Sequence, residues 1–114
     1  MAGDIVAYIY IIRCEDNSLY TGIAKDIKAR MKEHINATAA KYTSSHRIKQ
    51  LCALWECESY RDAARLEYAI KTLTKSKKEA LVLSPESVNG YFQKLENIHY
   101  EIKKTFDIWT ECDG

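Results

Sequence analysis

From Val6 to Cys14 the chain reads VAYIYIIRC, apolar at odd and even positions alike and rich in Ile and Tyr. Such a run predicts a strand covered on both faces rather than one with a wet side. EDNS at 15–18 then marks a turn, because Asp16 and Asn17 tolerate left-handed backbone, and LYTGI at 19–23 reads as the strand that returns. Asp26 offers an N-cap to IKARMKEHI, where Ile27, Ala29 or Arg30, Met31 and His34 or Ile35 recur at helical spacing while Lys28, Lys32 and Glu33 face out, so a first helix is expected over about 26 to 37. After the polar stretch ATAAKYTSSHR, the segment KQLCALWECE at 49–58 predicts a third strand. Ser59 caps a second helix over 60–72, with Ala63, Leu66 or Glu67, and Ile70 along one side, and SKKEALV at 76–82 adds a short helical turn.

The tail opens on Ser84 and Pro85, an N-cap followed by proline at the first helical position. Val88, Leu95, Ile102 and Trp109 then repeat every seven residues with Tyr91 and Ile98 between them, which predicts an amphipathic helix. Its apolar stripe is expected to cover the domain's own sheet, with homodimerisation through the heptad pattern as the second option. The order strand, strand, helix, strand, helix gives an α+β fold: a three-stranded antiparallel sheet flanked by helices over residues 1–83, with an appended C-terminal helix over 84–114.

Composition narrows the class without changing that outline. At 114 residues, 46% hydrophobic and 29% charged, the chain suits one globular domain that needs no metal or disulfide staple. The N-terminal apolar run is only about ten residues and follows Asp4, so neither a membrane span nor a signal peptide is expected and a cytoplasmic location is. Cys14, Cys52, Cys57 and Cys112 form no C-x-x-C pair, and Cys52 and Cys57 fall on opposite faces of the third strand; reduced core thiols are expected. The net charge of +1 conceals a segregation: residues 25–78 hold thirteen Lys or Arg against six acids, while the segments on either side are acidic. A basic middle of this kind suits a phosphate-facing surface as well as an ordinary solvated one.

Tyr8-Ile9-Tyr10, then Tyr20-Thr21-Gly22, then Arg30, His34 and Glu67 follow one another in YIYIIRC, SLYTG, RMKEH and RLE. In order and spacing these resemble the GIY-YIG nuclease superfamily over about residues 7–82, most of all its small single-domain bacterial members. Tyr8 stands where the first tripeptide has glycine, Thr21 where the second has isoleucine, and Ile23 where some larger members carry lysine. The resemblance implies an endonuclease acting on DNA with Mg²⁺ or Mn²⁺ held by the Glu67 carboxylate. It implies Arg30 on the scissile phosphate, a task suited to a planar bidentate donor. It further implies Tyr10 and Tyr20 jointly as general base and water positioner, and a site role for His34.

Lys25, Lys28, Lys41, Thr43, His46 and Arg47 are the candidate contacts to nucleic acid, from the basic middle of the chain. The competing class is a non-catalytic module that grips nucleic acid or a protein through the same surface. Glu67 has a bland alternative, a salt bridge to Arg30, and His34 another, a satisfied core hydrogen bond; Tyr8, Tyr60, Tyr68 and both tryptophans are expected in the core. A shared site constrains the hairpin. With an odd loop, such as Glu15 to Asn17, Tyr10 faces Gly22 and lies diagonal to Tyr20 on the same face, roughly 7 to 8 Å away; a two-residue turn sends the two rings to opposite faces.

Overall fold

The computed structural model describes residues 6–41, 48–91, 98–105 and 108–109. Its first two strands, β1 (Ala7–Cys14) and β2 (Leu19–Ala24), keep a register that pairs Cys14 with Ser18 and leaves an odd, three-residue loop at 15–17. The Cys14 and Asn17 amides donate to Ser18 O at 2.9 Å and Cys14 O at 2.8 Å, and Asn17 takes φ 72°, the left-handed residue such loops need. Asp16 Oδ1 accepts from the Ser18 amide and hydroxyl, which holds the turn shut. The register that results sets Tyr10 opposite Gly22 and Ile12 opposite Tyr20.

Helix α1 (Ile27–Lys41) starts where Asp26 Oδ1 accepts from the Ala29 amide, and it runs beyond the expected end near residue 37. Strand β3 (Ile48–Cys57) pairs with the free side of β1. Helices α2 (Tyr60–Lys71) and α3 (Lys75–Leu83) are capped by the hydroxyls of Ser59 and Thr74, which accept from the Asp62 and Lys77 amides. A 3₁₀ turn at Pro85–Ser87 leads into the single-turn helix α4 (Val88–Tyr91), and β4 (Tyr100–Ile102) closes the sheet in the order β2-β1-β3-β4, every pair antiparallel.

Burial follows the pleat of β1. Ala7, Ile9 and Ile11 pack under α2 and α3 with Ala63, Leu66, Ile70 and Leu81, while Tyr10 and Ile12 pack on the α1 side with Ile27 and Met31. The alternation fails in β3, where Leu54 and Leu51, three apart, both join the α1 side. A register shift opposite Ile11 and Ile12 inserts Cys52 as an extra residue and turns Leu51 over. Cys14, Cys52 and Cys57 are free thiols, as expected, but only Cys14 and Cys57 are buried, Cys52 being half-buried as the extra residue of the bulge; Cys112 lies outside the described residues.

The tail departs from the expected helix. Residues 100–102 pair with 55–57 of β3, whose outer edge would otherwise present unpaired amides and carbonyls, and that demand outweighs the heptad pattern. The stripe is accordingly divided: Val88 and Ile98 pack under the α2 face, Trp109 packs on the α1 face, and Ile102 is exposed. Leu95 lies outside the described residues. Ser84 makes no side-chain cap, and Pro85 instead anchors the crossing by accepting from the Trp55 indole at 3.2 Å. Glu56 and Glu101, like charges directly opposite each other, are bridged by Lys103 Nζ at 3.5 and 3.1 Å.

Thr21 alternates with Leu19 and Ile23 on the α2 side of β2, is 3% exposed, and its hydroxyl has no hydrogen-bond partner among the described residues. A buried unmade hydrogen bond costs stability that an isosteric apolar side chain does not. Thr21→Val is therefore expected to raise the unfolding free energy by about 1 kcal/mol in a urea titration.

Candidate active site

The diagonal register brings the two hairpin phenols together, with ring centroids 6.3 Å apart. His34 stands over both, just over one helical turn after Arg30, and presents its ring edge-on to Tyr10 at 5.6 Å and to Tyr20 at 5.5 Å. The Tyr10 hydroxyl and His34 Nε2 are hydrogen-bonded at 2.7 Å. Gly22 makes the arrangement feasible. The Tyr10 ring lies across it toward the β2 edge, and a Cβ at Gly22 would overlap the phenolic oxygen and Cζ.

The two tyrosines differ sharply in environment. Tyr10 is fully buried and Tyr20 is 48% exposed. Burial pushes the Tyr10 phenol up to about 12, opposed by the Arg30 guanidinium beside it and reinforced by the Tyr20 and Glu67 sides of the site. His34 is lowered, first by burial and then by the charge of Arg30. Both partners of the 2.7 Å bond are thus neutral at neutral pH, and in the tautomer protonated on Nδ1 the Tyr10 hydroxyl donates and Nε2 accepts.

A stability signature follows from His34. The unfolded chain protonates this imidazole near its ordinary value of about 6.5, the folded chain only at lower pH. Between those two values the unfolded state holds more protons, so the contribution is complete above about 6.5 and is lost as pH falls through the window below it. His34→Gln should flatten the fall in stability over that window in denaturant titrations; an undiminished slope would show that another group carries it.

Arg30 reaches into the site from α1, donating from Nη1 to Ile23 O at 3.3 Å and pairing with Glu33 at 3.3 Å. Contact with the Tyr10 phenol, more than any other influence, raises the guanidinium further above its ordinary range and keeps it charged. Glu67 comes from α2, the helix packed on β1 and β2 from the opposite face, and its carboxylate acts electrostatically on Tyr10. It is 19% exposed and its ion-pair partner is Lys71, one helical turn on at 3.3 Å, rather than Arg30. The basic arm and the acidic arm of the site are therefore each held by a neighbour on their own helix.

A family model described as the GIY-YIG catalytic domain matches residues 6–80. The chain belongs to the GIY-YIG family. This GIY-YIG domain is 42% identical over 100 residues to a UPF0213 protein of Fusobacterium nucleatum, covering 87% of the chain and 97% of that relative. It is 45% identical over 75 residues to a UPF0213 protein of Staphylococcus saprophyticus, covering 66% of the chain and 92% of the relative. A solution NMR structure of a UPF0213 protein from Bacillus halodurans is 38% identical, covers 74% of this chain and 93% of its own, and superposes with a TM-score of 0.47. Membership carries the catalytic fold of a nuclease family. No helix among the described residues is long and apolar enough to cross a membrane.

Of the expected nucleic-acid contacts, Lys25 and Lys28 are exposed at the start of α1. Lys41 ends that helix, its side chain outside the described set, and Thr43, His46 and Arg47 lie outside the described residues altogether. Two aromatic expectations are corrected. Tyr68 is 74% exposed, on the side of α2 away from Ala63, Leu66 and Ile70, and Tyr60 is 44% exposed. Tyr60 directly follows the Ser59 cap, so its side chain begins at the end of the helix rather than on its packed stripe; Lys25 Nζ sits over its ring, 5.3 Å from the centroid. The position after the cap was the signal available in the sequence.

Proposed function

We propose that this GIY-YIG domain hydrolyses phosphodiester bonds in DNA, single-stranded or branched forms included, with help from a divalent cation. The observation that carries the reading is the convergence of Tyr10, Tyr20, His34 and Arg30 from three separate elements; Glu67 joins it only through the smallest of the influences on the Tyr10 phenol. Structural packing alone gives no reason to bury a phenol against a neutral imidazole and a guanidinium at once.

The donor set fits Mg²⁺ or Mn²⁺. Glu67 supplies a single hard carboxylate oxygen, and among the described residues no three His, Cys, Asp or Glu side chains gather into a cage. Magnesium characteristically binds through one or two carboxylates plus waters and substrate phosphate. Held by Glu67, the ion would supply Lewis acidity to the phosphate.

The chain's own residues account for the rest. Arg30 exchanges Glu33 for the phosphate oxygens, where its planar fork stabilises charge as it develops. Tyr20, half exposed, orients the attacking water at the mouth of the site. Tyr10 is too weak an acid to be a standing phenolate, so it relays: the water's proton passes to its oxygen as its own proton passes to His34 Nε2.

The test uses purified protein with end-labelled single-stranded, duplex and branched DNA, with Mg²⁺ or Mn²⁺ and with excess chelator. Cleavage that requires the metal supports the reading. Tight binding without cleavage of any of the three would make the chain a non-catalytic binding module instead.

A further inference from the structure

Beside the catalytic cluster, and sharing Arg30 with it, lies a cleft of about 270 Å³ lined by Ile23, Lys25, Arg30 and Tyr60 among others. It combines three features. Tyr60 offers a half-exposed aromatic face, Lys25 is a cation already drawn to that face at 5.3 Å, and Arg30, to which the proposed reaction gives the scissile phosphate, lines the wall shared with the site. The two carboxylates in the cleft are engaged: Asp26 caps α1 through the Ala29 amide, and Glu33 pairs with Arg30.

The geometry points to a nucleotide subsite in this cleft, in which the base next to the cleaved bond stacks on Tyr60 and its phosphate takes Lys25. The proposal rests on the nuclease reading of the neighbouring site and adds a substrate class to it. A nucleobase offers the ring a flat π-face and a larger contact than one ammonium, so the incoming base displaces Lys25, which is left beside the strand with its charge free for phosphate. A base inside a duplex has both faces covered by its neighbours and cannot occupy the subsite. The cleft therefore selects a nucleotide that is out of the stack, as in single strands, flaps and junctions. Because every base has a π-face, selection is for unstacking and not for sequence.

The test is a binding measurement on the full chain made inactive by Glu67→Gln, using a fluorescent single-stranded oligonucleotide and a duplex of the same sequence at fixed salt. Tyr60→Ala should weaken the single strand about five- to 150-fold, the span of base–aromatic stacking, and the duplex far less. Tyr60→Trp should bind the single strand as tightly as the parent, and Lys25→Gln should lower the salt slope by about one counterion. An abasic nucleotide scanned along the strand should reproduce the loss at one position in the parent and add nothing further in Tyr60→Ala. Equal binding by Tyr60→Ala and the parent, or the same abasic cost in both, would overturn the subsite. Because the readout is binding, a wild-type chain that binds in this pattern yet cuts nothing would sink the nuclease reading and leave the subsite standing.

Discussion

Glu67→Gln is expected to lower DNA cleavage by about 10²- to 10³-fold, the scale on which a single pre-positioned charge-stabilising group is felt, while leaving DNA binding and the melting temperature nearly unchanged. The substitution keeps the shape of the side chain and removes only its charge. What it costs the fold is the pair with Lys71, an i,i+4 contact at 3.3 Å to a half-exposed lysine. Pairs of that kind contribute about 0.3 to 0.5 kcal/mol and are screened by salt. Lys71→Ala removes the same pair and keeps the carboxylate, so it separates the two roles. A catalytic Glu67 leaves Lys71→Ala within a few-fold of wild type, whereas a structural Glu67 makes the two variants fail together, with matching losses in thermal stability. Calorimetry and initial cleavage rates on the same preparations decide between them.

How much of this site could be read along the chain varied with the range of the interaction that determines it. The hairpin was legible in detail, because an odd loop at Glu15 to Asn17 fixes the register locally, and register alone decides that Tyr10 and Tyr20 share a face. Arg30 and His34 were legible for the same reason, since their spacing of four keeps them on one side of any helix. A site role for Glu67 was indicated only by family resemblance, for α2 and α1 lie on opposite faces of the sheet and nothing in the local sequence relates Glu67 to Tyr10. The difference between the phenols was not legible either. Both lie on the same side of one hairpin, and Tyr10 is buried because β3 and α1 cover β1, while Tyr20 sits on an edge strand. The tail misled because a seven-residue repeat describes a helix only when a helix satisfies the backbone better than the alternatives. Here the unpaired side of β3 offered residues 100–102 a ladder, which no periodicity in the tail could announce.

Gly22→Ala is the sharpest test of the geometry itself, with cleavage expected to fall by at least about 10²-fold, the effect of misplacing a catalytic group by an ångström or so. The effect is steric. Gly22 faces Tyr10 across the ladder, and an added methyl would fall on the phenolic oxygen and Cζ. The backbone can accept the alanine, since strand interiors favour Ala over Gly by about 0.5 to 1 kcal/mol. The ring must then give way, and it is fully buried, so it can do so only by leaving the 2.7 Å bond to His34. Tyr10→Phe provides the comparison, for it deletes the hydroxyl without moving the ring and should cost about 10² to 10⁴ in rate as a lost proton-transfer group. If Gly22 acts through Tyr10, the double variant will be no slower than the worse single one, and its stability will exceed the sum of the two losses because removing the oxygen relieves part of the overlap. The His34 imidazole reports the same event without any substrate: its lowered pKa should rise in Gly22→Ala as the ring shifts and water enters, which proton NMR titration can follow. Strictly additive rate losses in the double variant, together with an unmoved His34 titration, would mean that the glycine matters for some reason other than room for the phenol.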